Sequence, residues 1–141
     1  MVRRERFNPT LQKKLRRLGV AVVYLYGSQA LKRATRLSDI DVGVVFKNPN
    51  LLTRRRRALL HTELLKYLEP VLAPQGSQEM DLVFLQAASA VLQFEAINAG
   101  SPLFVSDSIF RADYEESVIR QYLDVRQLVE AHYQAALDRA A

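Results

Sequence analysis

Three features of this chain can handle phosphate and a divalent cation. Gly27-Ser28 closes an apolar run, Asp39 and Asp41 follow ten residues later with one residue between them, and Asp81 opens another apolar stretch. Backbone N–H groups and a hydroxyl where a strand gives way to a helix cradle phosphate. Glycine lets that phosphate approach without a Cβ in its path. Strand side chains alternate, so Asp39, Asp41 and Gly43 share one face while Ile40, Val42, Val44 and Phe46 share the other. Neighbouring carboxylates repel unless a cation lies between them. Magnesium, which prefers carboxylate and phosphate oxygens, is the natural occupant. Asp81 falls on a face with Val83 and Leu85, opposite Leu82 and Phe84. There it can complete a metal site and take the proton of an attacking hydroxyl; Glu79 is a second candidate on the same face. Singly, each has an ordinary explanation: a turn, a solvated strand end, a strand-start residue. Together they describe one cleft.

The surrounding elements have to bring these residues together. Asn8-Pro9 reads as an N-cap followed by proline at the first helical position, with Gly19 as the stop and Leu11, Leu15 and Leu18 at helical spacing. VAVVYLY reads as a fully buried strand, and the polar segment after Ser28 as one or two helical turns through about Ala34. Asp39 to Phe46 is the next strand, broken by Lys47-Asn48-Pro49-Asn50. A helix is expected from Leu51 to about Leu72 with Leu60, Leu64, Leu68 and Val71 inward, ended by Pro74-Gln75-Gly76. Then come a strand from Met80 to Leu85, a helix from Ser89 to Asn98 closed by Gly100, and a short strand from Leu103 to Val105. Roughly Ala112 to Ala140 reads as a long amphipathic helix with Val118, Tyr122, Val125, Val129 and Ala136 in one stripe. The expected fold is α/β, a small mixed β-sheet flanked by helices.

With 141 residues and no repeat or linker, residues 1–141 are expected to form one domain. Cysteine is absent, which excludes disulfides and thiolate zinc sites. No apolar segment follows the charged start MVRRERFNPT, and the run from Val20 to Tyr26 is too short to span a bilayer. A cytoplasmic protein without membrane partners is the simplest expectation. The net charge of +5 favours anionic partners, and arginine outnumbers lysine 15 to 5.

The pattern of Gly27-Ser28, Asp39-x-Asp41 and a later Asp81 resembles the nucleotidyltransferase superfamily that includes DNA polymerase β. VYLYGSQA, SDIDVGVVF, MDLVFL, VLQFEAINAGSPLF and EESVIRQYLD, in that order, look like the antitoxin branch of the minimal nucleotidyltransferases (MNT), partners of HEPN toxins. The resemblance implies a polymerase β-like fold with a long C-terminal helix. It assigns Gly27 and Ser28 to nucleotide phosphates, Asp39 and Asp41 to two Mg2+ ions, and Asp81 to the metal site and the acceptor proton. The implied reaction moves AMP from ATP to a tyrosine of a cognate HEPN ribonuclease toxin, neutralising it. One departure is that the family often has arginine after Gly-Ser and a glycine-containing loop, whereas Gln29 follows Ser28 and no glycine precedes Asp39.

Other features are read as structural. Arg54 to Arg57 open a helix, where the macrodipole disfavours cations; a solvated helix start is expected, with triphosphate, an acidic partner or RNA as the functional alternative. Arg126 and His132-Tyr133 imitate a HEPN ribonuclease motif, but His132 is directly followed by Tyr133, and they are expected to be surface and core of the last helix. His61 reads as a helix-surface residue; Tyr24, Tyr26, Phe46 and Phe84 are core candidates, any of which could stack on adenine. Two alternative functions are a small-molecule nucleotidyltransferase and a binding-only antitoxin that occludes its toxin.

Overall fold

A computed structural model describes residues 7–27, 40–73, 79–99 and 101–140. Helix α1 (Pro9–Arg17) begins as expected: Asn8 Oδ1 accepts from the Leu11 N–H at 2.9 Å and proline occupies the first helical position. Gly19, at φ +82°, takes the left-handed conformation that reverses the chain into strand β1 (Val20–Tyr26).

Strand β2 (Ile40–Phe46) and strand β3 (Met80–Phe84) follow on one side of β1, and strand β4 (Ser101–Val105) lies on the other. The order is β3-β2-β1-β4, with β1 antiparallel to both neighbours and β2 parallel to β3. As a central strand covered on both faces, β1 is buried at all seven positions, which is why it reads as an unbroken apolar run. Pro102 is tolerated in β4 because that strand is at the edge.

Helices cover both faces. Leu11 and Leu15 of α1, with Leu60, Leu64, Leu68 and Leu72 of helix α2 (Arg54–Leu72), pack on Val23, Leu25, Val42, Val44, Leu82 and Phe84. Ala96 of helix α3 (Ala90–Ala99) and Phe110 and Tyr114 of helix α4 (Ser108–Ala140) pack on Val22, Tyr24, Tyr26, Val45 and Leu85. A polar network locks α4 down. The Tyr24 hydroxyl donates to Glu115 Oε1 at 2.8 Å, Arg111 Nε donates to the same oxygen at 3.0 Å, and the Tyr114 hydroxyl donates to Gln93 Oε1 at 2.9 Å.

Several boundaries differ from expectation. α2 starts at Arg54, not Leu51, because Thr53 Oγ1 caps the Arg56 N–H, and residues Pro49–Leu51 form a separate 3-10 turn. Its fourth inward residue is Leu72; Val71 is only half-buried. β3 ends at Phe84 because Leu85–Ala87 form a 3-10 turn, from which the Gln86 amide extends the ladder by bonding both the N–H and C=O of Phe46 at 2.8 Å. α3 is shifted by one residue and uses Ser89 as its cap, the Leu92 N–H donating to Ser89 Oγ at 3.1 Å. β4 begins two residues early, at Ser101. α4 begins four residues early, since Asp107 Oδ1 accepts from the N–H groups of Ile109 and Phe110 at 2.9 and 3.1 Å.

At 33 residues α4 is about 50 Å long. Of its expected stripe only Val118 is buried; Tyr122 stacks on Phe94 with ring centroids 3.9 Å apart, and the C-terminal half projects with Val129 and Tyr133 exposed. Among the described residues no helix is long and apolar enough to cross a membrane.

Candidate active site

Strand pairing sets the site. In the parallel β2–β3 ladder Asp41 stands directly opposite Asp81, and in the antiparallel β1–β2 ladder Tyr26 stands directly opposite Asp41. Directly paired residues share a face of the sheet. Tyr26, Asp41 and Asp81 therefore form a row across three strands, on the face covered by α3 and α4. In the next row, Tyr24, Gly43 and Val83, a Cβ on Gly43 would approach Leu85 Cδ1 to 2.7 Å, so the glycine makes room for the residue that seals the sheet behind the carboxylates.

The row grades from buried to open. Tyr26 is 4% exposed, Asp41 is half-buried and Asp81 is exposed. Burial first, and then the charges of Asp41, Asp81 and Glu95, push the Tyr26 phenol up to about 12. The phenol is thus neutral at physiological pH and sits in the field of three carboxylates, the third from α3. Burial and then the Glu115 carboxylate also push Tyr24 upward.

Gly27 follows Tyr26 at φ +70°. A Cβ there would collide with Asp41 Oδ2 and lie 3.2 Å from Asp41 Cγ. The carboxylate of Asp41 is therefore folded against the bare main chain that ends β1. Ser28 and Asp39 lie outside the described residues, as does the expected helical segment through Ala34.

Among the described residues no three acidic, histidine or cysteine side chains gather into a metal site. Asp41 and Asp81 nevertheless fit magnesium: both are hard oxygen donors, adjacent in register, at the open end of a strand pair. Glu79, whose C=O accepts from the Ile40 N–H at 2.9 Å, immediately precedes β3 and is exposed.

Sequence reasoning placed Tyr26 in the core but missed its place beside the carboxylates. Its position at the strand end next to Gly27 was the available signal. Glu95 gave none, being an exposed helical glutamate like many others. Of the proposed stacking rings, Phe46 and Phe84 meet edge-on at 4.8 Å on the face away from Asp41. His61 is a correction: it is half-buried, with Nε2 3.1 Å from the Leu82 carbonyl oxygen, and ties α2 to β3. Arg54 to Arg57 are all exposed on the first turn of α2, and His132 and Tyr133 are exposed on α4.

The family described as "Polymerase beta, Nucleotidyltransferase" matches residues 9–109. Among solved structures, a toxin–antitoxin complex with AMP-PNP has a chain 25% identical to this one, covering 92% of this chain and 97% of that one, with a TM-score of 0.60. A variant MntA–HepT toxin–antitoxin complex is 24% identical over 93% of this chain and 95% of that one, at a TM-score of 0.54. A Shewanella oneidensis complex of a tri-AMPylated HEPN toxin with MNT antitoxin is 22% identical over 99% and 98%, at a TM-score of 0.53. No curated protein matches the sequence.

Proposed function

The chain belongs to the polymerase beta nucleotidyltransferase family, and from that premise we propose that it is an antitoxin that transfers AMP from ATP to a tyrosine of a cognate HEPN toxin. The observation that carries the reading is the Asp41–Asp81 pair, set side by side at the strand end where Gly27 turns. The similarity to a toxin–antitoxin chain crystallised with AMP-PNP supports nucleotide as the substrate and a toxin as the partner.

The roles are those that the resemblance to the nucleotidyltransferases implies. Gly27 and Ser28 grip the triphosphate through main-chain N–H groups and the Ser28 hydroxyl. Asp41 and Asp81, with Asp39, hold Mg2+. Held there, Mg2+ would supply charge neutralisation for the triphosphate and for the leaving pyrophosphate. Asp81, the more exposed carboxylate, faces the acceptor and takes the phenolic proton as the tyrosine oxygen attacks the α-phosphorus. AMP on a toxin tyrosine adds negative charge and bulk, which repels and blocks RNA phosphates.

The test is to incubate the protein with ATP, Mg2+ and the purified toxin and weigh the toxin by mass spectrometry. One or more AMP increments are expected with wild type and none with Asp81→Asn. If Asp81→Asn protects cells from the toxin as well as wild type, neutralisation is by binding and the enzymatic reading fails.

A further inference from the structure

The chain contains two glycines with positive φ among its described residues, and their surroundings differ. Gly19, at φ +82°, has nothing within 4 Å of where a Cβ would stand. Gly27, at φ +70°, has the Asp41 side chain there: Oδ2 in collision, Cγ at 3.2 Å and Cβ at 3.5 Å. Left-handed backbone alone makes glycine favourable at both positions. At Gly27 a second demand is superimposed, because the atom a side chain would displace belongs to a carboxylate paired in register with Asp81.

We propose that Gly27 is a positioning residue for the metal carboxylates: its missing side chain is the seat of the Asp41 carboxylate, quite apart from any approach of phosphate. The constraint is local, and it falls on the carboxylate end of the Asp41 side chain. Tyr26 and Asp41 are the last pair of the β1–β2 ladder, so the main chain of Gly27 is held against the base of Asp41 by the sheet itself. Asp41 grows from a strand buried at six of its seven positions and cannot retreat by moving its backbone. Any side chain at position 27 must therefore rotate the carboxylate out of its seat and away from the geometry shared with Asp81. This rests on the metal-binding reading above, but the contact itself can be measured without metal.

Gly19→Ala is the control, since it carries the same backbone penalty and meets no atom. Melting temperatures of the apo protein are compared for wild type, Gly19→Ala, Gly27→Ala, Asp41→Ala and Gly27→Ala/Asp41→Ala. Mn2+ binding is followed by electron paramagnetic resonance without nucleotide or toxin. Gly27→Ala should lower the melting temperature more than Gly19→Ala, and the excess should vanish in the Asp41→Ala background. Mn2+ affinity should fall at least about tenfold in Gly27→Ala and stay unchanged in Gly19→Ala, in line with loss of a group that orients a metal ligand. If Gly27→Ala alone does not fold while the double variant does, the contact is established. Equal cost of Gly27→Ala in both backgrounds, or Mn2+ affinity unchanged in Gly27→Ala, overturns the proposal. So does failure of both position-27 variants to fold while Gly19→Ala folds, because the turn alone would then require glycine. A wild type that binds no Mn2+ would sink the metal reading instead, and the melting temperatures would still decide the contact.

Discussion

Asp41 and Asp81, forty residues apart in sequence, are direct partners in the parallel β2–β3 ladder and put their carboxylates on the same face of the sheet. Without a cation, such a pair is repulsive. Asp41→Asn and Asp81→Asn should each reduce nucleotide transfer by at least about 100-fold, the upper end of the loss seen for merely outer-sphere metal partners. Asp81→Asn should not lower the apo melting temperature, since it removes one of two neighbouring anions. Transfer at the wild-type rate in either variant would overturn the metal assignment.

The Tyr24–Glu115 hydrogen bond, at 2.8 Å between a fully buried phenol and a half-buried carboxylate, fixes α4 to the centre of the sheet. Tyr24→Phe keeps the ring and deletes the donor, leaving Arg111 on Glu115. A hydrogen bond to a charged group is worth roughly 1.5–3 kcal/mol. Urea denaturation should show a loss of that size, and an unchanged midpoint would mean water replaces the bond without cost.

Alkaline stability has a defined sign. Burial and the neighbouring carboxylates raise the Tyr26 phenol from 10.0 to about 12 in the folded protein. The folded state therefore holds this proton more tightly than the unfolded chain does. The resulting stability is complete below pH 10.0 and is lost as pH rises through about 12. Tyr24 and Tyr114 are also raised, so they add to the same alkaline loss. Tyr26→Phe should flatten the fall of the urea midpoint across this window without abolishing it. An identical slope in the variant would show that Tyr26 ionises freely.

Gly43 lets Leu85 lie against β2 directly behind Asp41. Gly43→Ala should cost about 1–3 kcal/mol by overpacking. The added loss should shrink when Leu85 is also cut back to alanine, as a thermal-melt double-mutant cycle would show. Strict additivity would mean the strand shifts and the contact does not constrain it.

Four exposed arginines occupy the first turn of α2, where the helix dipole disfavours positive charge. Replacing Arg54 to Arg57 with glutamine should leave the melting temperature unchanged or raise it slightly, and spare metal binding. If the arginines contact the toxin or RNA, the salt dependence of that affinity will drop with them; an unchanged dependence marks the turn as a solvated face.

Much of this protein was legible locally. The cap at Asn8-Pro9, the stop at Gly19 and the buried run of β1 lie where the sequence puts them; the alternation of β2 and β3 also depends on neighbours within a few residues, although β3 stops one residue short of Leu85. Alternation also told which face of β2 carries Asp41 and which face of β3 carries Asp81. It could not say that these faces coincide, nor that β2 and β3 run parallel, because a strand's pattern is the same in either direction and at any register shift of two. The α2 leucines, Val42, Val44, Leu82 and Phe84 pack into a single apolar layer, which puts both carboxylates on the opposite side, and the β2–β3 ladder then sets Asp41 directly against Asp81. The same holds for α4. Its apolar spacing was visible to Ala136, yet burial stops near Val118 and Tyr122, and among the described residues Val129 and Tyr133 beyond them are exposed. Periodicity states what a helix can bury; only the extent of the neighbouring layers determines how much of it is buried.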